Sequence, residues 1–484
     1  MRRALYSTVA ILAMLAPMQT RAADVSETGA RDIAEKLTHY LPKDVVDTGF
    51  LKVTAGTNRY ELSVDLEALL RKIKTEDFSV TGLKPLVQYL TPQDDGLWKI
   101  ETNERLDISG HFSAEGKKNN FTYLIETITF EGMFDPELSF TRTANASLQN
   151  LRFSSDDGST KVSANIDDYS TDMRLENIDG GKADMVSNLS GKGFTETVTD
   201  PTGGTFTVSA ASLDGRSQAD KLGVAAFRDL VIFGLDKLKS KDDVISAQDD
   251  ARLKELMKAN VPFVDNLVYD INFRDITVAG QGMEASLARA GYKVEFNGIK
   301  ADTRVGVEFS FNDPVIPAGV LPPGTEGALP KSASMGVAVG GMNVEGVVSY
   351  LLEHADFTKS QPLTTEQSDA LSKIVLPEGV MNIEFYNVAA KSDVYDIALA
   401  GTMKVNPDES DKPEADITVT ARDLDTTIKF LQDNASKVPE FGQASFMVLM
   451  IKGFGKQQPD GSMIWNVKLD RDGKVMINGQ EMKI

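Results

Sequence analysis

The sequence has no cysteine, only three histidines and only two tryptophans. The lack of cysteine excludes disulfide support and excludes a lipoprotein anchored through an N-terminal Cys. The histidines, His39, His111 and His354, lie far apart, and none has a second His at metal-ligand spacing. They read as surface or hydrogen-bonded structural residues. An HExxH helix and a GxSxG nucleophile elbow are both missing. Gly191-Lys192-Gly193 lacks the rest of a phosphate loop and reads as a turn. Asp470-Arg471-Asp472-Gly473 resembles part of a calcium loop. Aligning Gly473 with the invariant glycine, however, puts Lys468 and Gly479 where carboxylates are required, so a hairpin turn is expected. With no constellation to carry chemistry, no catalytic residue, cofactor or metal site is assigned, and an enzyme is not the expectation.

Long apolar runs are also scarce. The main one near the start, Ala4 to Ala16, is too short to span a bilayer. It follows Arg2 and Arg3, is broken by Pro17, and leads to Thr20-Arg21-Ala22, which puts small residues at the positions a signal peptidase reads. Residues 1–22 are therefore expected to be a cleavable secretory signal and the mature chain to be periplasmic. Removing Arg2, Arg3 and Arg21 takes the formal charge from −20 to −23. Phosphate would be repelled by that excess, so nucleic acid is not an expected partner. It also disfavours docking on an anionic membrane through a broad basic surface.

Turn signals and alternation dominate the body. Asp95-Gly96, Asp157-Gly158, Asp179-Gly180, Asp214-Gly215, Asn297-Gly298, Asp460-Gly461, Asp472-Gly473 and Asn478-Gly479 are hairpin-type dipeptides. Segments such as Tyr60 to Val64 and Trp465 to Leu469 alternate apolar and polar residues, the period of a half-buried strand. Helices are expected over Ser26–Leu41 (with Tyr40 on the apolar face and Pro42 as the stop), Ser217–Lys239, Ser246–Ala259 and, from a Thr364/Gln367 capping box, through Ile374. Asn312 to Ser334, rich in proline and glycine, is expected to be a long loop. The fold class is α+β, predominantly antiparallel β, with two related halves of curved sheets packed on a few helices. The expected divisions are 23–240, a helical connector over 241–260, and 261–484.

Three internal patterns support the halves. A turn or cap residue followed by a short helix ending in aromatic-Leu is read at Gly82–Leu90, Asn343–Leu351 and Asp423–Leu431. A glycine within a strand occurs at Gly110 and Gly401, where a bend or bulge is expected. Finally, Asn, Asp or Gly sits between apolar strand positions at Asn150, Asn177, Asp275, Asn297-Gly298 and Asn387, which read as repeated kinks.

Ala444 to Ile451 (ASFMVLMI) is apolar on all sides and is expected to be a buried helix. If an apolar ligand is bound instead, Phe446, Met447, Met450 and Phe454, with Trp465 on the next strand, are the candidate lining. The segment Ala421 to Ile428, this helix, and the ending Trp465 through Gln480 resemble an uncharacterised family of bacterial envelope proteins known as domain of unknown function twenty-one twenty-five. The resemblance covers mainly the last third and implies export, but no activity, cofactor or catalytic residue. Long curved strands behind a signal peptide are also similar, at the level of fold, to envelope proteins that hold lipid in a groove. The expected function is non-enzymatic binding of a lipid or other apolar ligand. The alternatives are an envelope structural or assembly factor acting through protein contacts, and a hydrolase with a dispersed carboxylate site.

Export is directly testable. N-terminal sequencing of fractionated protein should give Ala23 in the periplasmic fraction. An intact Met1, or retention in the inner membrane after a carbonate wash, would refute the cleavage.

Overall fold

The computed structural model describes residues 25–39, 41, 43–71, 77–114, 116–238, 245–410 and 412–482. The proposed signal, Tyr40 and Pro42 lie outside the described residues, as do residues 241–244 of the expected connector. The chain divides into two compact units, each described separately below. One runs up to Asp265 and includes Leu352–Leu363; the other comprises Asn266–Leu351 and the chain from Thr364 onward.

In the first unit, α1 (Glu27–Thr38), α2 (Lys43–Val46) and α3 (Leu66–Leu70) accompany β1 (Leu51–Ala55), β2 (Tyr60–Val64), β3 (Phe78–Thr81) and β4 (Leu86–Pro92). Six long strands follow: β5 (Trp98–Ala114), β6 (Lys117–Asp135), β7 (Phe140–Asp156), β8 (Lys161–Asp179), β9 (Lys182–Thr199) and β10 (Thr205–Leu222). Each pairs antiparallel with its sequence neighbour. The free edge of β5 takes β4 near its start and β3 near its end. Helices α4 (Val224–Leu238) and α5 (Ala247–Ala259) close the unit. Ser246 caps α5 reciprocally with Asp249, which satisfies two otherwise orphaned amides.

The second unit is a similar meander. β11 (Asn266–Gly280), β12 (Met283–Phe296), β13 (Thr303–Val315) and β14 (Ser332–Met342) are followed by α6 (Val344–His354), of which Val344–Leu351 belong to this unit, and α7 (Thr365–Val375). Next come β15 (Met381–Lys391), β16 (Asp396–Val405), β17 (Glu414–Arg422), α8 (Leu424–Asn434) and α9 (Pro439–Phe454). The ending consists of β18 (Lys456–Gln457), β19 (Met463–Leu469), β20 (Val475–Ile477) and β21 (Gln480–Met482). β19 pairs with β17 along one edge and with β20 on the other. The fold is thus β-rich α+β with antiparallel sheet, as the alternation implies.

The kink pattern has a clear backbone cause. Asn150, Asn177, Asp275, Gly298 and Asn387 all adopt left-handed φ, between 49° and 92°. At Asn177 and Asn387 the left-handed residue coincides with a register shift, a bulge that bends the strand. Asn150 and Asp275 turn left-handed with the register of their strands unbroken, and Gly298 lies between β12 and β13. Asn and Asp tolerate this backbone better than other residues with a Cβ. Three of the asparagines also donate their side-chain amides to carboxylates: Asn150 to Glu126, Asn177 to Asp184 and Asn387 to Glu308. A left-handed residue also stands just before α4, α6 and α8, at Lys221, Gly341 and Asp423.

Several sequence expectations need correction. Ser217–Leu222 belongs to β10, so the helix begins only at Val224. Asp214-Gly215 is not a turn but lies inside β10, with Gly215 opposite Leu189. The expected loop from Asn312 is shorter, because β13 continues to Val315 and β14 begins at Ser332. Gly82–Leu90 does not form a cap and helix. Pro85 disfavours helical backbone at Lys84, and Leu86 to Leu90 is drawn into pairing with β2 instead.

One core of the first unit gathers Ala30, Ile33 and Leu37 of α1 onto Tyr60, Leu62, Leu90, Trp98, Ile100 and Phe134. A second joins Leu138, Leu175, Ala183 and Val224. Between β6 and β7, Asp135 is buried; it accepts both Nε (2.7 Å) and Nη2 (2.6 Å) of Arg142 and the backbone N–H of Glu137 (2.8 Å) and Leu138 (3.2 Å). Asp135→Ala strips these buried donors of their acceptor and should cost about 3 kcal/mol. Urea unfolding checks this, and a loss under about 1 kcal/mol would show that water replaces the carboxylate.

Candidate functional site

The expected buried helix is α9, and its position differs from the expectation. Phe446 is 62% exposed, Met447 54%, Leu449 46%, Met450 50% and Ile451 43%. Only Ser445 of this helix is buried. A run that is apolar all round would be covered inside a core, whereas here a broad arc of the helix is open. The reason lies in what anchors it. Trp465, 4% exposed, donates its indole N–H to the Ile451 carbonyl at 2.7 Å, and Asn478 donates to the Phe454 carbonyl at 2.7 Å. A Cβ on Gly455 would sit 3.0 Å from the Trp465 ring, so glycine permits this close approach. Phe441 at the other end packs on Phe430 of α8, ring centres 6.0 Å apart. Of the five candidate residues, then, Trp465 is a buried anchor, Phe446, Met447 and Met450 are surface, and Phe454 is half-buried.

Trp465 leads to a second apolar surface. Directly paired residues of antiparallel strands point to one face. One row crosses the second unit as Ile271, Tyr292, Phe309 and Met335, then, past the bulge at Asn387, as Val388, Leu399, Val419 and Trp465. A neighbouring row runs from Phe273 through Phe311 and Ile397 to Met463, and another from Tyr269 through Val307 and Phe385 to Ile477. The end of this face at β19 is held under α9 through Trp465. Towards β13 and β14 it is open: Phe309 is 58% exposed and Met335 56%. Phe309 packs on Tyr292 with ring centres 4.9 Å apart.

The opposite face of the same strands is charged. Lys293, Glu295, Arg304 and Glu384 form ion pairs across it. The hydrogen bond from Lys293 holds the Glu295 carboxyl below the usual carboxylate range against the opposing effect of burial, with Arg304 adding to the shift. Tyr386 lies across Gly336 on this face, and burial pushes its phenol up. A Cβ at Gly336 would come within 2.3 Å of the Tyr386 carbonyl oxygen, which is why glycine is required there.

The first unit repeats the division. One face carries Leu106, Ile125, Leu151 and Ile166 in one row and Ile108, Tyr123, Phe153 and Ala164 in the next. The other face carries polar residues, and a cleft of about 650 Å³ opens there between Arg59 and Asp172. His111 accepts or donates a 2.8 Å hydrogen bond with Ser79, and Asp470 caps the Asp472-Gly473 hairpin turn. No group of three or more potential metal ligands occurs among the described residues.

The apolar rows escaped sequence reading because each strand contributes only one or two residues to them. Their summation depends on register, which alternation alone does not fix.

Truncating Trp465 to Ala should cost about 3–5 kcal/mol and release α9. Hydrogen exchange should then show lost protection in Pro439–Phe454, and unchanged exchange would mean that α9 is held by other contacts. Comparison of the chain with protein-family models, with curated proteins and with solved structures finds no match.

Proposed function

We propose that this chain is a non-enzymatic periplasmic protein that holds the acyl chains of a lipid on the open apolar sheet face of its second unit. The observation that carries this reading is the row through Tyr292, Phe309 and Met335. Phe309 and Met335 there stand more than half exposed, beside the partly buried Tyr292 and other apolar neighbours. Leaving so much apolar surface in water costs about 25 cal/mol per Å², which a bound acyl chain would recover. The exposed arc of α9, with Phe446, Met447 and Met450, and the half-buried Phe454 at its end, supplies a second apolar surface in the same unit. Methionine and phenylalanine there suit a ligand of variable shape.

The related ancestry of the two units and membership in the envelope family named above belong to the same proposal. Common ancestry of the units is supported by the recurrence in both of left-handed asparagine or aspartate within strands and of left-handed residues before helices, and the family by the residues quoted for it above. No described helix is long and apolar enough to cross a membrane. A second reading, an assembly factor acting through protein contacts, is favoured by the exposure of α9 alone.

Native mass spectrometry of protein purified from the envelope should report bound lipid. Phe309→Glu combined with Met335→Glu should remove it while leaving the melting transition within about 0.5 kcal/mol of wild type, as for surface substitutions. Lipid retained by this double variant would overturn the reading. Met450→Glu should also leave the fold intact, because its side chain already meets water. Lipid lost from this variant assigns α9 to the lipid site, whereas lipid kept and a protein complex lost favours the second reading.

A further inference from the structure

The polar cleft of the first unit is a separate feature and does not depend on the apolar face. It is lined across four consecutive long strands by directly paired residues: Glu101 on β5, Glu131 on β6, Asn145 on β7 and Asp172 on β8. A second row beside it carries the hydroxyls of Thr129, Ser147 and Ser170. At one end the guanidinium of Arg59 stacks 3.7 Å above the ring of Tyr89, giving the cleft a flat aromatic and cationic wall. Arg59 and Tyr89 also line an adjoining space of about 450 Å³, formed with the β1–β2 turn residues Thr57 and Asn58.

The chemistry of this lining selects among ligands. It offers carboxylates, amides or hydroxyls at nearly every position, with apolar surface from Tyr89, Phe130 and Ala146 set among them. It therefore suits a ligand that is polar at its edges and apolar on its faces; a bare acyl chain would leave the polar groups unpaired. Its charged residues are Arg59 against Glu101, Glu131 and Asp172, and with Lys99 beside two of these carboxylates the net charge is −1. Phosphate and nucleic acid are therefore repelled. Glu101 and Glu131 stand directly opposite each other and are bridged by Lys99, at 2.9 and 3.4 Å, which keeps both carboxylates in place as acceptors. Asp172 is oriented by the Asn188 amide at 2.9 Å. Thr129 and Ser147 share a 2.8 Å hydrogen bond, leaving further hydroxyl capacity towards the cleft. Neighbouring strands repeat every ~4.8 Å, so these groups form a periodic track of acceptors and donors running across the strands. A neutral, hydroxyl-rich chain is the ligand class that matches acceptors, donors and a flat wall together.

We infer that this cleft is a binding site for an oligosaccharide, with Glu101, Glu131, Asn145 and Asp172 hydrogen-bonding successive sugar hydroxyls and Arg59–Tyr89 walling one end. The sugar chain is either a free glycan or the headgroup of a glycolipid. The test is isothermal titration calorimetry on the full mature protein. The probes are chitotetraose, cellotetraose and maltotetraose, and phosphatidylcholine vesicles with and without digalactosyl diacylglycerol. Binding to at least one tetrasaccharide, or to glycolipid vesicles but not to plain ones, is expected. Asn145→Ala and Asp172→Asn should each weaken it at least tenfold with unchanged circular dichroism melting. Response to a tetrasaccharide identifies a free glycan, and response to glycolipid vesicles alone identifies a headgroup. The inference is overturned if none of these probes binds, or if binding is unaltered in both variants. Phe309→Glu should leave tetrasaccharide binding intact, so failure of the acyl-chain reading and failure of this one are distinguishable.

Discussion

Register between antiparallel strands is the constraint on which the remaining features depend. Successive side chains alternate between faces, so a shift of one residue would exchange the apolar and polar faces of a strand. Each unit keeps its faces distinct over many strands. It does so although strands as long as β6 and β8 accumulate bends, because bulges reset the alternation at chosen points. At Asn387 the backbone turns left-handed and spends one extra residue, so that Phe385 and Val388, three apart in sequence, emerge on the same face. Without that bulge, Val388 would fall among the charges around Arg304 and Glu384.

The polar faces are held by a different kind of interaction. Lys293, Glu295, Arg304 and Glu384 tie β12, β13 and β15 together through side chains that remain partly in water, where each pair is worth little alone. Their service is to positional order. The Tyr386 ring, laid across Gly336 beneath the Arg304 guanidinium at 5.1 Å, links β15 over β14 to β13 without a covalent bond. In the first unit the Asp135–Arg142 pair, with its carboxylate buried, holds the turn from β6 to β7 and so sets where β7 begins its pairing.

Much of this architecture was legible in the residues. Asn150, Asn177, Asp275 and Asn387 could be recognised as kinks because a short polar residue interrupts apolar alternation where a left-handed backbone is tolerated. The capping box of Thr364 and Gln367 and the cap at Ser246 marked helix starts for the same local reason. What failed was non-local. Gly82–Leu90 carries a helical spacing of apolar residues, yet Pro85 and the waiting edges of β2 and β5 make it a strand. The run in α9 reads as core by composition, and nothing in its own sequence says that only one side of it is covered. The acceptor track of the polar cleft was invisible because its members lie tens of residues apart along the chain.

The meander has a bearing on how the protein comes apart. Within each unit most strands of the ladder bond to the strand just before and just after them in sequence, so few strands distant in the ladder must meet before pairing begins, although helices intervene between β14 and β15 and between β17 and β19. Cooperativity in such an array passes from neighbour to neighbour, as in repeat proteins. Opening is then graded. The short terminal strands β20 and β21, joined by the two-residue turn at Asn478-Gly479, are placed to fray first. The strands flanked on both sides hold out longest. A molecule built this way yields to heat or to a pulling force in steps, hairpin by hairpin, and can lose an edge while most of its two faces survive.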